Sequence, residues 1–317
     1  MVRFVTAGIW ITRRCNFRCS YCNVPKTDSK ELKLSEWIKA VEIIKNLGIK
    51  KVVLLGGEVT LYSDLVPFVD YIINKANLEC SLTTNSFNNY SIIKKLIAVG
   101  MKNISVSIDS LDSADSISPI KCKSGLELIN RLEEDKLKEL INLRCYVVVN
   151  KSNINKLENF IMSMTKRKIK VYLIPYHWGN KGLFEHRKNQ KVNAFSTKKD
   201  VETFNEVMDR VISLKKAGFF IDNSEEYLRT TKKNIRKLDW KCDGISELRI
   251  DSDGKMMCCC DKKGDVNFHF SIFDLDSGEK LQEFLNMRAN DSSICKGCLW
   301  PSSFENERMK KEGMIVK

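Results

Sequence analysis

Cys15, Cys19 and Cys22 stand in the run Cys15-Asn16-Phe17-Arg18-Cys19-Ser20-Tyr21-Cys22, a CxxxCxxC spacing. Soft thiolates grouped this closely select zinc or iron–sulfur chemistry. A structural zinc or an electron-transfer [4Fe–4S] cluster takes four protein ligands, and no fourth cysteine lies nearby. Three ligands leave one metal position open, as catalytic metal sites do. A zinc completed by a distant residue, or a set of unligated buried thiols, is the competing reading. A second group, Cys242, Cys258, Cys259, Cys260, Cys295 and Cys298, crowds the other end of the chain. Cys80, Cys122 and Cys145 are isolated and read as small core or surface residues. Twelve cysteines in a cytosolic protein point to metal or redox chemistry, because disulfides are rare there.

The elements that must position these thiols are legible from residue periodicity. Short β-branched runs at 5–12, 51–55, 79–83, 103–108, 143–149 and 170–174 alternate with helical patterns at 35–47, 65–75, 90–99, 126–140 and 156–165. That alternation predicts successive βα units and a parallel sheet. In the first helix Trp37, Val41, Ile44 and Leu47 share one apolar face, Ser35 is the candidate N-cap and Gly48 the stop. Six strands with five crossovers make a fold of α/β class, a partial (β/α)6 TIM barrel over residues 1–178. A polar, turn-rich stretch follows Trp178, and a long helix at 199–217 dominates a helical connection over 179–240. Residues 241–317 form a separate C-terminal region, in which ELRIDSDGKMMCCC reads as a hairpin turning at Asp253-Gly254. A short helix at 280–288 leads into Cys295-Lys296-Gly297-Cys298.

Composition sets outer bounds. With 317 residues, 43% hydrophobic and 29% charged, the chain can bury a full core. No uncharged apolar run is long enough for a transmembrane helix. The apolar start is interrupted by Arg13 and Arg14 and lacks a small-residue cleavage site, so it reads as a first strand and the protein as cytoplasmic, without a membrane partner. The formal charge of +13 raises the question of an acidic partner. Its basic residues are scattered over helix faces (Lys45, Lys50, Lys94, Lys95, Lys138) and form no stripe interleaved with aromatics, so solvation explains them better than nucleic acid.

The CxxxCxxC set after strand one, with Tyr21 before its last cysteine, resembles the radical SAM superfamily. In that family the open iron of a [4Fe–4S] cluster chelates S-adenosylmethionine (SAM). One electron then breaks a C–S bond and gives a 5′-deoxyadenosyl radical. The resemblance continues at the strand ends, where barrel active sites lie. Leu55-Gly56-Gly57-Glu58 is similar to the family's GGE motif, which contacts the methionine amino group, although Val59 stands where the family usually has proline. Two glycines permit a close backbone approach. Thr83-Thr84-Asn85 looks like the TN pair, and Ser107 and Asp109 look like ribose contacts. The resemblance covers about residues 5–177. It implies that Cys15, Cys19 and Cys22 hold the catalytic cluster, and that Tyr21, Gly56, Gly57, Glu58, Asn85, Ser107 and Asp109 bind the cofactor.

Cys242, Cys259, Cys295 and Cys298, with Gly254 before Cys259, resemble the SPASM/twitch region of such enzymes. No cysteine follows Cys298, so one auxiliary [4Fe–4S] cluster of twitch type is expected, two clusters in all. On an extended strand Cys258 and Cys260 would face opposite to Cys259. They remain open as buried thiols, as a replacement ligand or as a hydrogen donor, and a zinc ribbon is the alternative for the region. The resemblance implies an oxidoreductase or maturase acting on a small molecule or peptide in a biosynthetic pathway, supplied by a flavodoxin- or ferredoxin-type electron donor. An RNA-modifying enzyme, suggested by charge, and a non-catalytic zinc-ribbon or electron-transfer protein are the other readings. The first strand starts near residue 5, so neither a leader-peptide domain nor a cobalamin domain is expected before it. Tyr176, His177 and Trp178 are candidates for the cavity mouth, with Glu185 and His186 in the following loop. Asp222, Asn223, Glu225 and Glu226 read as turn and capping groups.

Overall fold

Alternating apolar residues on seven short strands decide the architecture. The computed structural model describes residues 4–26, 30–176, 193–259, 269–276, 278–295 and 297–313. The strands are β1 (Thr6–Thr12), β2 (Lys51–Gly56), β3 (Glu79–Thr84), β4 (Asn103–Ser107), β5 (Asn142–Val149), β6 (Lys170–Pro175) and β7 (Glu247–Ile250). They form one sheet in the order β6-β5-β4-β3-β2-β1-β7, with every neighbouring pair parallel. Helices α1 (Leu34–Asn46), α2 (Leu65–Asp70, continued by a π turn at Tyr71–Lys75), α3 (Tyr90–Ala98), α4 (Pro119–Glu134) and α5 (Leu157–Lys166) make the crossovers. One set of alternate side chains, such as Ile9, Val52, Leu54, Leu82, Val106, Cys145 and Leu173, packs into the main apolar core with these helices. The opposite set, with Trp10, Leu55, Thr83, Ser107, Tyr146 and Ile174, faces a cavity. Cys80, Cys122 and Cys145 are all buried.

The sheet has seven strands where six were expected. Glu247–Ile250 was assigned to a separate C-terminal region, but it lies parallel on β1, from Thr6 opposite Glu247 to Ile9 opposite Ile250. The reason is the free edge of β1, whose backbone groups need partners. The turn after β7 forms as read: Gly254 N donates to Asp251 O at 2.9 Å, and Ile250 bridges Met256 antiparallel. At the other edge Asn223 acts as a surrogate strand. Its Oδ1 accepts from Leu173 N (2.7 Å) and its Nδ2 donates to Leu173 O (3.0 Å). Asp222 pairs with Arg144 at 2.7 Å, and Ser224 is the residue that caps the next helix.

Helix ends differ from the sequence reading in two places. Lys33 rather than Ser35 occupies the N-cap of α1, with Glu36 accepting from its backbone N–H at 2.8 Å. Helix α4 starts at Pro119, seven residues before the expected start at 126. Gly125 sits inside the helix, where an added Cβ would lie 3.1 Å from Ile108 Cβ and 3.2 Å from Val106 Cγ1, so glycine allows the close packing. The remaining helices are α6 (Lys198–Lys216), α7 (Glu225–Asn234), α8 (Gly278–Ile294) and α9 (Pro301–Lys311). Among the described residues no helix is long and apolar enough to cross a membrane.

Asn223 is 0% exposed, so Asn223→Ala would strand both backbone groups of Leu173 without water. A loss of about 1–3 kcal/mol is expected in urea denaturation. An unchanged midpoint would show that β6 does not depend on this closure.

Candidate active site

The cysteine loop leaves β1 at Thr12 but stays on the sheet. Gly57 N donates to Thr12 O and Glu58 N donates to Arg14 O, both at 2.8 Å, so the β1–β2 ladder runs on past the strand ends. A Cβ on Gly56 would overlap Thr12 O, and one on Gly57 would overlap Arg14 O. The two glycines therefore serve the close approach of the cysteine loop itself. Arg13 carries the loop to the other side: its buried guanidinium pairs with Asp251, Nε to Oδ1 at 2.6 Å, in the turn after β7. Arg14 forks onto Glu31 at 2.8 and 2.9 Å.

Cys15, Cys19 and Cys22 line a cavity of about 230 Å³ at the C-terminal ends of the strands, together with Tyr21, Gly56, Gly57, Asn85 and Ser107. Eight of the ten residues expected for the first site thus meet at one wall. Asn85 also touches the loop, with Nδ2 3.8 Å from Cys15 Sγ and 2.7 Å from Asn16 Oδ1. Burial pushes the Cys15 thiol up, and burial with the neighbouring thiols pushes Cys22 up to about 11. The charge of a bound metal is what favours the thiolate in such a site.

The other two expected residues stand behind the wall. The Glu58 carboxylate accepts from Thr60 Oγ1, Thr84 Oγ1 and Asn85 N, each at 2.7 Å, and so fastens the end of β3 to the end of β2. Burial raises its pKa against the pull of these hydrogen bonds. Asp109 takes Lys121 Nζ on both oxygens (2.8 and 2.9 Å) and accepts from Val148 N (2.9 Å). The side chain that lines the cavity is Lys121, 4% exposed, which also donates to the Tyr21 hydroxyl at 2.9 Å. Sequence reasoning missed it. The available signal was Pro119, a first-turn residue that would have started α4 early enough to place Lys121 at the end of β4.

Trp10, Thr83, Tyr146 and Trp300 were not foreseen on the wall either. The Thr83 hydroxyl is buried there with no hydrogen-bond partner. Tyr176 lines the cavity as expected and meets Tyr21 edge-on, ring centroids 6.1 Å apart. His177, Trp178, Glu185, His186 and Cys260 lie outside the described residues.

Of the second set, Cys242, Cys258, Cys259, Cys295 and Cys298 are half-buried thiols outside any disulfide. Burial raises the Cys242 thiol, and the charge of Cys259 adds to the effect. Cys298 N donates to Trp240 O at 2.8 Å, and Gly297 (φ +104°) lies so close to Asp239 that a Cβ would stand 2.6 Å from its carbonyl carbon. The two arms, 239–242 and 295–298, are thereby brought together. Trp300, two residues past Cys298, reaches the first cavity. Among the described residues no three His, Cys, Asp or Glu side chains are grouped so as to hold a single metal ion. What fits an iron–sulfur group is the donor chemistry, thiols throughout, and for the first set the cavity beside it.

Residues 9–161 match the model of the Radical SAM superfamily. The chain is 26% identical over 304 residues to molybdenum cofactor biosynthesis protein moc-5 of Caenorhabditis elegans, with 89% of the chain aligned. It spans about half of that relative, 48% of its length. It is 25% identical over 286 residues to a probable GTP 3′,8-cyclase of Saccharolobus islandicus, covering 87% of this chain and 88% of that protein. In fold it is similar to Streptococcus suis SuiB bound to S-adenosylmethionine (TM-score 0.67, 16% identity, 94% of this chain and 73% of that one). It is also similar to anSMEcpe with bound AdoMet and a peptide (TM-score 0.64, 15% identity, 98% and 97%).

Replacing Gly57 by alanine forces a methyl group into the Arg14 carbonyl, a clash no side-chain motion relieves. The melting temperature should fall by several degrees, about 1–3 kcal/mol. Gly278→Ala, where the added methyl meets open space, is the control and should melt like the parent. Equal melting of the two variants would contradict the close-approach reading.

Proposed function

We propose that the chain, whose residues 9–161 match the Radical SAM superfamily, is an enzyme that cleaves S-adenosylmethionine reductively with a [4Fe–4S] cluster held by Cys15, Cys19 and Cys22. The observation that supports this reading best is the shared wall: three thiols, Gly56, Gly57, Asn85 and Ser107 around one cavity. When bound, cluster and cofactor supply a 5′-deoxyadenosyl radical that takes hydrogen from substrate. The chain's own residues bind and orient. Lys121, aimed by Asp109, offers the cofactor carboxylate a cation, and the unpartnered Thr83 hydroxyl and the Asn85 amide offer polar contacts. Tyr21 and Ser107 complete that side, while Trp10, Tyr146, Tyr176 and Trp300 keep water from the rest.

A second [4Fe–4S] cluster would sit on Cys242, Cys259, Cys295 and Cys298, joined to the cavity through Trp300. It would make the net reaction an oxidation or a bond-forming step, with a flavodoxin- or ferredoxin-type protein as electron donor. The substrate is a small molecule or peptide. Among the described residues Lys121 is the one cation on the cavity wall, and once it serves the cofactor none of them is left for a triphosphate, which favours a substrate without one.

Anaerobic reconstitution with iron and sulfide, then dithionite and S-adenosylmethionine, should give about eight irons per chain and release 5′-deoxyadenosine. Replacing Cys15, Cys19 and Cys22 with alanine should leave about four irons and no product. Tightly bound zinc without 5′-deoxyadenosine would overturn the reading. GTP added as substrate should not stimulate cofactor cleavage, and stimulation would replace the substrate assignment by that of the curated relatives.

Lys121→Met combined with Asp109→Asn avoids leaving a buried carboxylate unpaired. Losing a charge-assisted hydrogen bond of about 1.5–3 kcal/mol should weaken S-adenosylmethionine binding at least about tenfold, with iron content unchanged. Equal affinity in anaerobic calorimetry would remove Lys121 from the site.

A further inference from the structure

Arg288, on α8, is 1% exposed and among the largest fully buried side chains of the protein. Its guanidinium donates to three backbone carbonyls: Gly244 O, Met257 O (2.9 Å) and Glu247 O (3.2 Å). Arg13, Lys121 and Arg249, also deeply buried cations, each have a carboxylate. Arg288 has none within ion-pair distance among the described residues. A buried guanidinium satisfied in hydrogen bonds but not in charge is costly, and such a charge is normally compensated.

The three carbonyls show where the compensating charge belongs. Gly244 lies two residues after Cys242, Met257 lies two residues before Cys259, and α8 itself runs to Ile294, next to Cys295. One turn along the same helix face, Ser292 Oγ donates to Cys242 O at 2.7 Å, and Asp291 accepts from Cys258 Sγ. Thus Arg288, Asp291 and Ser292 hold the Cys242 and Cys259 arms, while Cys258 is drawn onto a carboxylate.

We infer that Arg288 is the buried counter-charge of an anionic iron–sulfur cluster on Cys242, Cys259, Cys295 and Cys298, and that Cys258, engaged by Asp291, is not one of its ligands. The inference rests on the proposed second cluster and deepens it. Four thiolates outweigh the positive charge of an oxidised four-iron core, so a fixed cation beside it makes reduction easier.

The test uses the full chain with Cys15, Cys19 and Cys22 replaced by alanine, so that the second cluster alone is observed. Cys242→Ser or Cys259→Ser should lose about four irons, whereas Cys258→Ser should keep them and the parent spectrum. In an electron paramagnetic resonance redox titration Arg288→Met should shift the midpoint to more negative potential, and Arg288→Lys should restore much of it. If Arg288→Met cannot hold the cluster, retention in Arg288→Lys supports the charge role, and equal loss in both overturns it. Iron lost from Cys258→Ser, or an unchanged midpoint in Arg288→Met, also overturns the inference. Full iron in both Cys242→Ser and Cys259→Ser would instead sink the second-cluster reading beneath it.

Discussion

Two backbone hydrogen bonds, Gly57 to Thr12 and Glu58 to Arg14, hold the cysteine loop against the end of β2, and the rest of the site is built outward from them. They demand glycine at 56 and 57, because any Cβ there would occupy the loop's own carbonyls. They also turn Glu58 inward, where its carboxylate must be satisfied by the protein. Thr60, Thr84 and Asn85 provide the donors, so β3 ends in register with β2. Asn85 then reaches back to Asn16 in the cysteine loop and closes a ring of contacts. One short motif thereby places three thiols and two strand ends relative to each other.

Charge is treated with the same strictness. Arg13 crosses from the cysteine loop to Asp251 beyond β7, and Arg249 in β7 is paired with Glu247. Strand β7 thus carries the C-terminal cysteine arms to the side of the sheet where the first thiols lie. The cavity between strand ends and Trp300 is mostly aromatic and apolar, with Lys121 as its described cation. Such a wall suits chemistry that water would quench.

The core strands were legible because each alternates apolar residues toward the helices and ends in residues suited to a site. The ELRI arm was read as part of a hairpin, but its place as β7 in the main sheet was not legible, because its partner is the distant edge of β1. The helix was expected only from 126, which hid Lys121; Gly125 lies inside α4, where its lack of a side chain lets the helix approach β4. Helix α9 shows no clear apolar stripe and buries a mixed set, Pro301, Ser303, Phe304 and Asn306. Glu58 and Asp109 were read as cofactor contacts, and what the sequence did not show is that Glu58 also fastens two strand ends and Asp109 also anchors Lys121. Asn223 looked like a turn residue because its partner, Leu173, is fifty positions away.

If Cys15, Cys19 and Cys22 alone hold the first cluster, one of its irons is open to the cofactor. The direct measurement is electron–nuclear double resonance on the reduced protein with S-adenosylmethionine isotopically labelled in its carboxylate. Hyperfine coupling between the label and the cluster's unpaired electron is the expected result, lost when Cys19 is replaced by alanine. Bound cofactor without such coupling in the parent protein would contradict it.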